Sequence, residues 1–553
     1  MRTLATLINN PGEPPAASAY NDPAALAGLG YTDRVFYETT ALSGLESAEV
    51  IAGPELRRWV YHVDEHLTEQ IEGAQQAGLG IYLFYDALVL PSERIERQPR
   101  DFTCRRQRDT LCPASDRAIE QSMAGLDAML RHWPDVSGIV LRFGDNDAQR
   151  LPHLTGNDIY SPHCSRCNKL SKADRITRLI DAAYRRVVLN HGKTLIARAW
   201  NVRPNGLHDD ESLATEVASR LPGDASDDRL MLSFKFTQTD FWRYQRWNGP
   251  SLHCAGRPII YELQCQREYE GKGGIPNWQV PLWRDGYPES RDASEVAGLA
   301  QAASQVNLAG LWAWVRGGGW GGPFVSSESW IDANVTAVPQ LAASPDRDSE
   351  SLGRQWIRER LGIEDQRLAD VVMGVLEHSP RVILEGFYIE PLARQQRTEW
   401  HPNDDWIRDD LLDVPAAWRI VQRLPVESLD QVIQEKADAV ERISEDRARL
   451  QQLTSDRQHR ALEPLANTLC YAESLLATLH DLLAGLIAYR RYRERKGEAD
   501  ATLAQQRLLA AQSHWNHHVQ RHGALPGTAT AFRETQFWEL TQQILTELSE
   551  AGQ

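Results

Sequence analysis

No run of about eighteen apolar residues occurs anywhere in the 553-residue chain. Its opening, MRTLATLINNPGEPP, holds no apolar stretch long enough for a secretory leader. A membrane partner is therefore not expected, and a cytoplasmic location is. Cysteine is sparse and odd in number, 7 in all, which argues against a disulfide framework and for a reducing compartment. Positive charge is in deficit: 60 Lys and Arg stand against 76 Asp and Glu, a formal charge of −16. Nucleic acid and anionic membranes reward basic faces, so both are excluded as expected partners. An acidic ligand would need a local cluster of cations working against that field. Repeats, low-complexity tracts and rod-length coiled coils are missing too. So are GxGxxG after a first strand, GxxxxGK[ST], HExxH and GxSxG, and with them the usual nucleotide, metalloprotease and serine-esterase signatures. The glycine-rich RGGGWGG (316–322) lacks the Lys-Ser/Thr ending of a phosphate loop and reads as a turn.

What is present is an ordinary globular balance, 42% hydrophobic and 25% charged, with 17 tryptophans. Through the first 320 residues, short apolar β-branched runs alternate with helical patterns, the signature of a parallel sheet covered by helices. The runs are 2–10, 34–40, 80–90, 138–147, 194–201, 230–241, 258–271 and 311–319. Helical patterns fall at 55–78, 114–133, 172–192 and 293–310, while the crossover 242–257 is short, Trp-rich and the least helical. Eight strands with crossovers predict an α/β fold, a (β/α)8 TIM barrel over 1–345. From about 365 no strand pattern returns. Long helical patterns at 427–453 and 464–495 predict an all-α domain over 346–553, with HPNDDW (401–406) as an irregular insert. The apolar stripes of that domain are more often core than interface, and a homodimer through it is the possible partner.

In such a barrel, chemistry gathers at the C-terminal strand ends. Those ends carry Glu38, Asp86, Asp145, Asp147, Arg198, Asp240, Glu262, Glu268 and Arg316. Carboxylates on separate strands facing one mouth suit glycosidic cleavage, where one acid protonates the leaving oxygen and another activates water or attacks carbon. Each could equally be the ion-pair partner of a barrel arginine. Trp200 and Trp314, beside strand ends, are candidate sugar platforms. In SPHCSRC (161–167), Cys164 and Cys167 have the spacing of half a zinc site. Cys104 and Cys112 would complete four thiolates if two loops met. Two ordinary loop cysteines are the expectation, with no metal and no cofactor.

The segment LMLSFKFTQTDFW…PIIYELQCQREYEG (230–271) resembles the glycoside hydrolase family 67 α-glucuronidases. There a strand ending in Lys and a "DF" step are followed by "E-(L/F)-Q-I-x-Q-E-Y-x-G", with two candidate bases 28 positions apart. Asp240 and Glu268 match those bases, and Glu262 matches the "ELQ" glutamate, here expected as a buried support beside the sugar site. The resemblance also implies Arg142, Arg198 and Lys235 as the cations that hold a uronate carboxylate. The family's general acid, the Glu of "NSEG", falls on Asn146, so its neighbours Asp145 and Asp147 are the expected acid and substrate contact. The family's N-terminal β-domain has no counterpart before the first strand. Together these imply inverting removal of a terminal uronic acid from an oligosaccharide. Two alternatives keep the barrel: a glycosidase of another acidic or neutral sugar, and a sugar-binding relative that does not cut.

Overall fold

The computed structural model describes residues 1–8, 18–37, 39, 42, 54–104, 110–144, 154–268, 270–271, 273–317, 328–396, 414–454, 462–522 and 538–551. Eight parallel strands close into a barrel. They are β1 (Arg2–Ile8), β2 (Asp33–Phe36), β3 (Gly80–Asp86), β4 (Gly138–Arg142), β5 (Thr194–Arg198), β6 (Leu230–Lys235), β7 (Pro258–Gln264) and β8 (Asn307–Gly317). Each neighbours the next in sequence, and β8 returns to β1. All eight expected runs contain a strand. β8 begins four residues early because Asn307 and Leu308 pair with Pro258 and Ile259. For the same reason the helical pattern at 293–310 shrinks to Leu299–Ala302, and the end of that segment is claimed by the sheet. The short crossover 242–257 keeps one 3-10 turn, Pro250–His253.

Alternation of side chains across the strands makes two cores. Inside the barrel lie Leu4, Ile8, Val35, Tyr82, Phe84, Val140, Ile196, Met231, Ile260, Trp312 and Trp314. The intervening residues pack outward beneath the crossover helices. These include α1 (Pro54–Gln76), α2 (Asp116–His132), α3 (Lys172–Tyr184) and α4 (Glu211–Arg220). Ser115 and Asp210 cap α2 and α4 by accepting backbone N–H groups, and Ser171 with Asp174 forms a capping box on α3.

From 329 onward the described chain is helical: α5 (Ser329–Ala343), α6 (Ser349–Glu359), α7 (Gln366–Phe387), α8 (Leu429–Thr454), α9 (Glu463–Arg495) and α10 (Glu498–His522). The insert at 401–406 lies outside the described residues. α9 is long and apolar enough to cross a bilayer by composition, yet 78% of its most apolar stretch is buried in the protein, where it packs between α8 and α10. It is the core helix of this region.

α7 joins the helical region to the barrel through a proline. Pro380 offers no N–H to the Leu376 carbonyl, which instead accepts from Ser379 Oγ at 2.8 Å. That hydroxyl in turn accepts the backbone N–H of Trp278, also at 2.8 Å. The Pro380 carbonyl accepts from buried Arg243, 2.9 Å away. Because Arg243 and Trp278 both follow barrel strands, these contacts tie the loops at the barrel mouth to the helices.

The strand ends are anchored by Glu262. It is fully buried, accepts from Arg198 Nε and Nη2 at 3.0 Å each, from Ser233 Oγ at 3.0 Å and from Trp314 Nε1 at 3.2 Å. Removing one member of a buried pair strands the other charge in a low-dielectric interior. Glu262→Ala should therefore cost about 3–5 kcal/mol in urea unfolding. The pair replaced together by Met at Arg198 and Leu at Glu262 should recover most of that loss.

Candidate active site

The site follows from parity. Two residues beyond an inward apolar side chain, the strand again points inward, now at the barrel mouth. Phe84 is followed by Asp86, Val140 by Arg142, Ile196 by Arg198, Ile260 by Glu262, Trp312 by Trp314, and Met231 by Ser233 and then Lys235. The apolar plug is thus topped by a charged layer. Arg142 grips Asp86 through two hydrogen bonds, 2.5 and 2.9 Å, and donates to Tyr37 Oη at 2.8 Å. Its guanidinium lies over the rings of Tyr37 and Phe84. Arg198 pairs with Glu262 and stands over Trp314, 4.9 Å from the ring centre. Lys235 forms an ion pair with Asp240 and rests 3.8 Å above the centre of Trp200.

The three cations expected to clamp a uronate therefore each meet a carboxylate of the chain itself. Arg142 and Arg198 are 1% exposed and bound to internal acids, where they brace the mouth. Glu262, expected as both buried support and substrate contact, is placed only as the former, since Arg198, Ser233 and Trp314 cover its oxygens. Trp200 and Trp314 are buried and face these cations. Arg316 pairs with Glu328 at 2.7 Å. Asp240 is more open, its side chain 19% exposed. Glu38, Asp145 and Asp147 lie outside the described residues, so the expected general acid has no described position.

The loops bearing Asp240 and Glu268 are stitched together. Arg267, next to Glu268, donates to the backbone carbonyl of Phe241, next to Asp240; Tyr287 Oη donates to the same carbonyl at 3.1 Å. Phe241 stands at φ 59°, a left-handed conformation unfavourable for a bulky residue, held by these bonds and by its N–H on Thr237 Oγ1. Glu270 locks the other side. It accepts from Arg267 at 2.7 and 2.9 Å, from Asn277 at 2.7 Å and from Tyr388 of the helical region at 2.8 Å. Burial would push the Glu270 carboxyl up, but the Arg267 guanidinium outweighs it and holds the group below the usual range. Gly271 and Gly273 then turn the chain at φ 87° and 85°, and a Cβ on Gly273 would stand 2.3 Å from Ile331 Cδ1. Glu268, 8% exposed, is carried on this braced turn.

Sequence reasoning passed over Arg267, Glu270, Ser233, Tyr37 and Tyr388. Arg267 and Glu270 have a visible signal, opposite charges at i, i+3 within the motif. Tyr388 comes from 118 residues beyond Glu270 and has none. Cys164 and Cys167, expected as ordinary loop cysteines, are brought together with Cys104 and Cys112, the alternative in which the two loops meet.

His208 supports Trp200 edge-on, 5.0 Å between ring centres, and places Nε2 3.0 Å from the Thr237 carbonyl. Burial, aided by the nearby Lys235 charge, lowers it to about 3. The unfolded imidazole takes up a proton near pH 6.5 and the folded one only near 3, so acid favours the unfolded chain. This contribution is intact above pH 6.5 and lost as pH falls toward 3, on the order of 4–5 kcal/mol in total. Urea unfolding between pH 7.5 and 4 should show a stability decline that is shallower in His208→Asn.

No family profile matches the chain, and no curated protein does. Among solved structures it is similar to a GH138 enzyme described as targeting pectin rhamnogalacturonan II, with a TM-score of 0.57 and 12% identity over 100% of this chain and 83% of that one. A mutant of the Thermobaculum terrenum O-GlcNAc hydrolase aligns over 100% of this chain and 95% of its own length, at 10% identity and a TM-score of 0.42. The first likeness shows a shared fold, barrel with helical region.

Proposed function

We propose that this chain is a glycoside hydrolase whose water-activating carboxylates are Asp240 and Glu268. One observation carries the reading: the loops after β6 and β7, neighbouring strands, are fastened to each other by Arg267 with Asp240 and Glu268 beside the fastening. The left-handed Phe241 and the buried Arg267 hold the backbone beside both carboxylates. The fold shared with an enzyme described as targeting a pectin adds support.

In this mechanism Asp240 and Glu268 take a proton from water on one face of the sugar. Asp145, or Asp147, protonates the glycosidic oxygen on the other. The anomeric C–O bond breaks as the water oxygen bonds to that carbon, so configuration inverts. Such a reaction leaves room for water between acid and base carboxyls, about 6.5–9.5 Å. Lys235 holds Asp240 in an ion pair at the edge of the mouth.

The sugar is proposed to be a terminal uronic acid, on the resemblance over 230–271 and on Lys235 at the mouth. A second reading, a neutral sugar, is favoured by the pairing of Arg142, Arg198 and Lys235 with internal acids. A panel of aryl uronides and neutral aryl glycosides separates the two by which members are cleaved.

Asp240→Asn and Glu268→Gln should each lower kcat by about 10²–10⁴-fold. Oligosaccharide binding by calorimetry should stay within a few-fold, and proton NMR should show the inverted anomer released first by the unaltered enzyme. Near-normal turnover by both variants on every cleaved substrate would end the assignment. Binding without product from the unaltered protein would make it a sugar-binding relative.

A further inference from the structure

The loop after β3 and the loop after β4 meet through sulphur. Cys104 and Cys112 come from the first loop, Cys164 and Cys167 from the second. Their four Sγ atoms lie within 4.8 Å of one another. Three of the spacings are 3.6 Å for Cys112–Cys164, 3.6 Å for Cys164–Cys167 and 3.9 Å for Cys104–Cys167. A disulfide would bring two sulphurs to about 2.05 Å. A tetrahedral zinc ion with bonds of about 2.3 Å sets its four sulphurs about 3.8 Å apart. The three spacings above match the edges of that tetrahedron, and the others lie within 4.8 Å.

The surroundings are those of a ligand set rather than of a hydrophobic patch. The four cysteines form a cluster of their own, separate from the two barrel cores, with Ala114 packed against it. Three are fully buried and Cys164 is 8% exposed. The backbone N–H groups of His163 and Cys164 both point at Cys167 Sγ, 3.2 Å each. Arg166 donates to the Thr103 carbonyl beside Cys104, and buried Arg175 braces the carbonyls of Ile159, Tyr160 and Leu170 around the Cys164–Cys167 turn. Four thiols this close cannot all ionise without a cation among them.

We infer that Cys104, Cys112, Cys164 and Cys167 bind one structural zinc ion that clamps the β3 and β4 loops together. Each thiol gives up its proton and donates a sulphur lone pair to the metal; no oxidation step is involved. All-sulphur tetrahedral sites select zinc or iron, and at a given site Zn²⁺ binds more tightly than Fe²⁺. A multinuclear iron–sulphur cluster would hold its cysteines farther apart than 4.8 Å allows. The clamp acts on the sugar site indirectly. It fastens loops whose small sheet pairs Leu90 and Pro91 with Thr155 and Leu154, and Leu154 directly follows the segment bearing Asp145 and Asp147.

The test is metal analysis of the full chain purified without chelator under reducing conditions. About one zinc per chain is expected, released in step with thiol modification by a mercurial. Chelator should lower the melting temperature, and one equivalent of zinc should restore it where magnesium does not. Cobalt substituted for zinc should show sulphur-to-cobalt charge-transfer absorption. Cys164→Ser and Cys112→Ser should lose most of the metal, while Cys254→Ser, a buried cysteine elsewhere, should keep it. A chain that stays zinc-free after reconstitution, carries iron instead, or shows disulfides among these four by mass spectrometry of the alkylated, unreduced protein overturns the inference. None of these readouts depends on glycosidase activity.

Discussion

The buried pairs Arg142–Asp86 and Arg198–Glu262 are the constraint around which the mouth is arranged. Each joins neighbouring or nearby strands just above the apolar plug, with donors and acceptors satisfied by Tyr37, Ser233 and Trp314. Charges taken out of water are costly unless such partners are in place. A barrel that keeps them therefore has a fixed upper rim. Lys235, Trp200 and Asp240 take their places against that rim, and His208, kept neutral by burial, supports it from behind.

The barrel was legible because its two signals agree. Apolar runs of strand length recur at crossover spacing, and inward positions end in charge two residues past the last apolar one. The helices were legible from their period, and 293–310 misled because an alanine-rich, weakly amphipathic run carries helix propensity that sheet pairing overrides. At the site, reading the strand ends picked out Arg198, Asp240 and Glu262 as mouth residues, and the family resemblance added Arg142 and Lys235. Neither could tell which cation faces which acid, because a partner such as Asp86 lies 56 residues from Arg142. The expected uronate clamp and the observed internal pairs use the same residues, and only the folded geometry distinguishes them. The cysteine cluster was legible only as a possibility: CxxC shows half a ligand set, and whether the half 52 residues away joins it depends on how two loops fold.

Two of the loops that define the mouth are held from outside the strands. Arg267 binds the turn after β6, and Glu270 is gripped by Arg267, Asn277 and Tyr388 together. Opposite them, the sulphur cluster gathers the loops after β3 and β4. The rim is thus fastened on two sides by different chemistry, ion pairing on one and thiols on the other. The strained Phe241 backbone is affordable in that setting because its carbonyl has two donors.

The hydroxyl of Tyr388 gives the helical region a share in the barrel's own chemistry. A fragment cut after residue 345 would retain all eight strands, yet it would leave Glu270 without that donor and Arg243 without the Pro380 carbonyl. Proteolysis of such a fragment should then begin within 267–271. Tyr388 and Pro380 thus carry hydrogen bonds across the change from strands to helices.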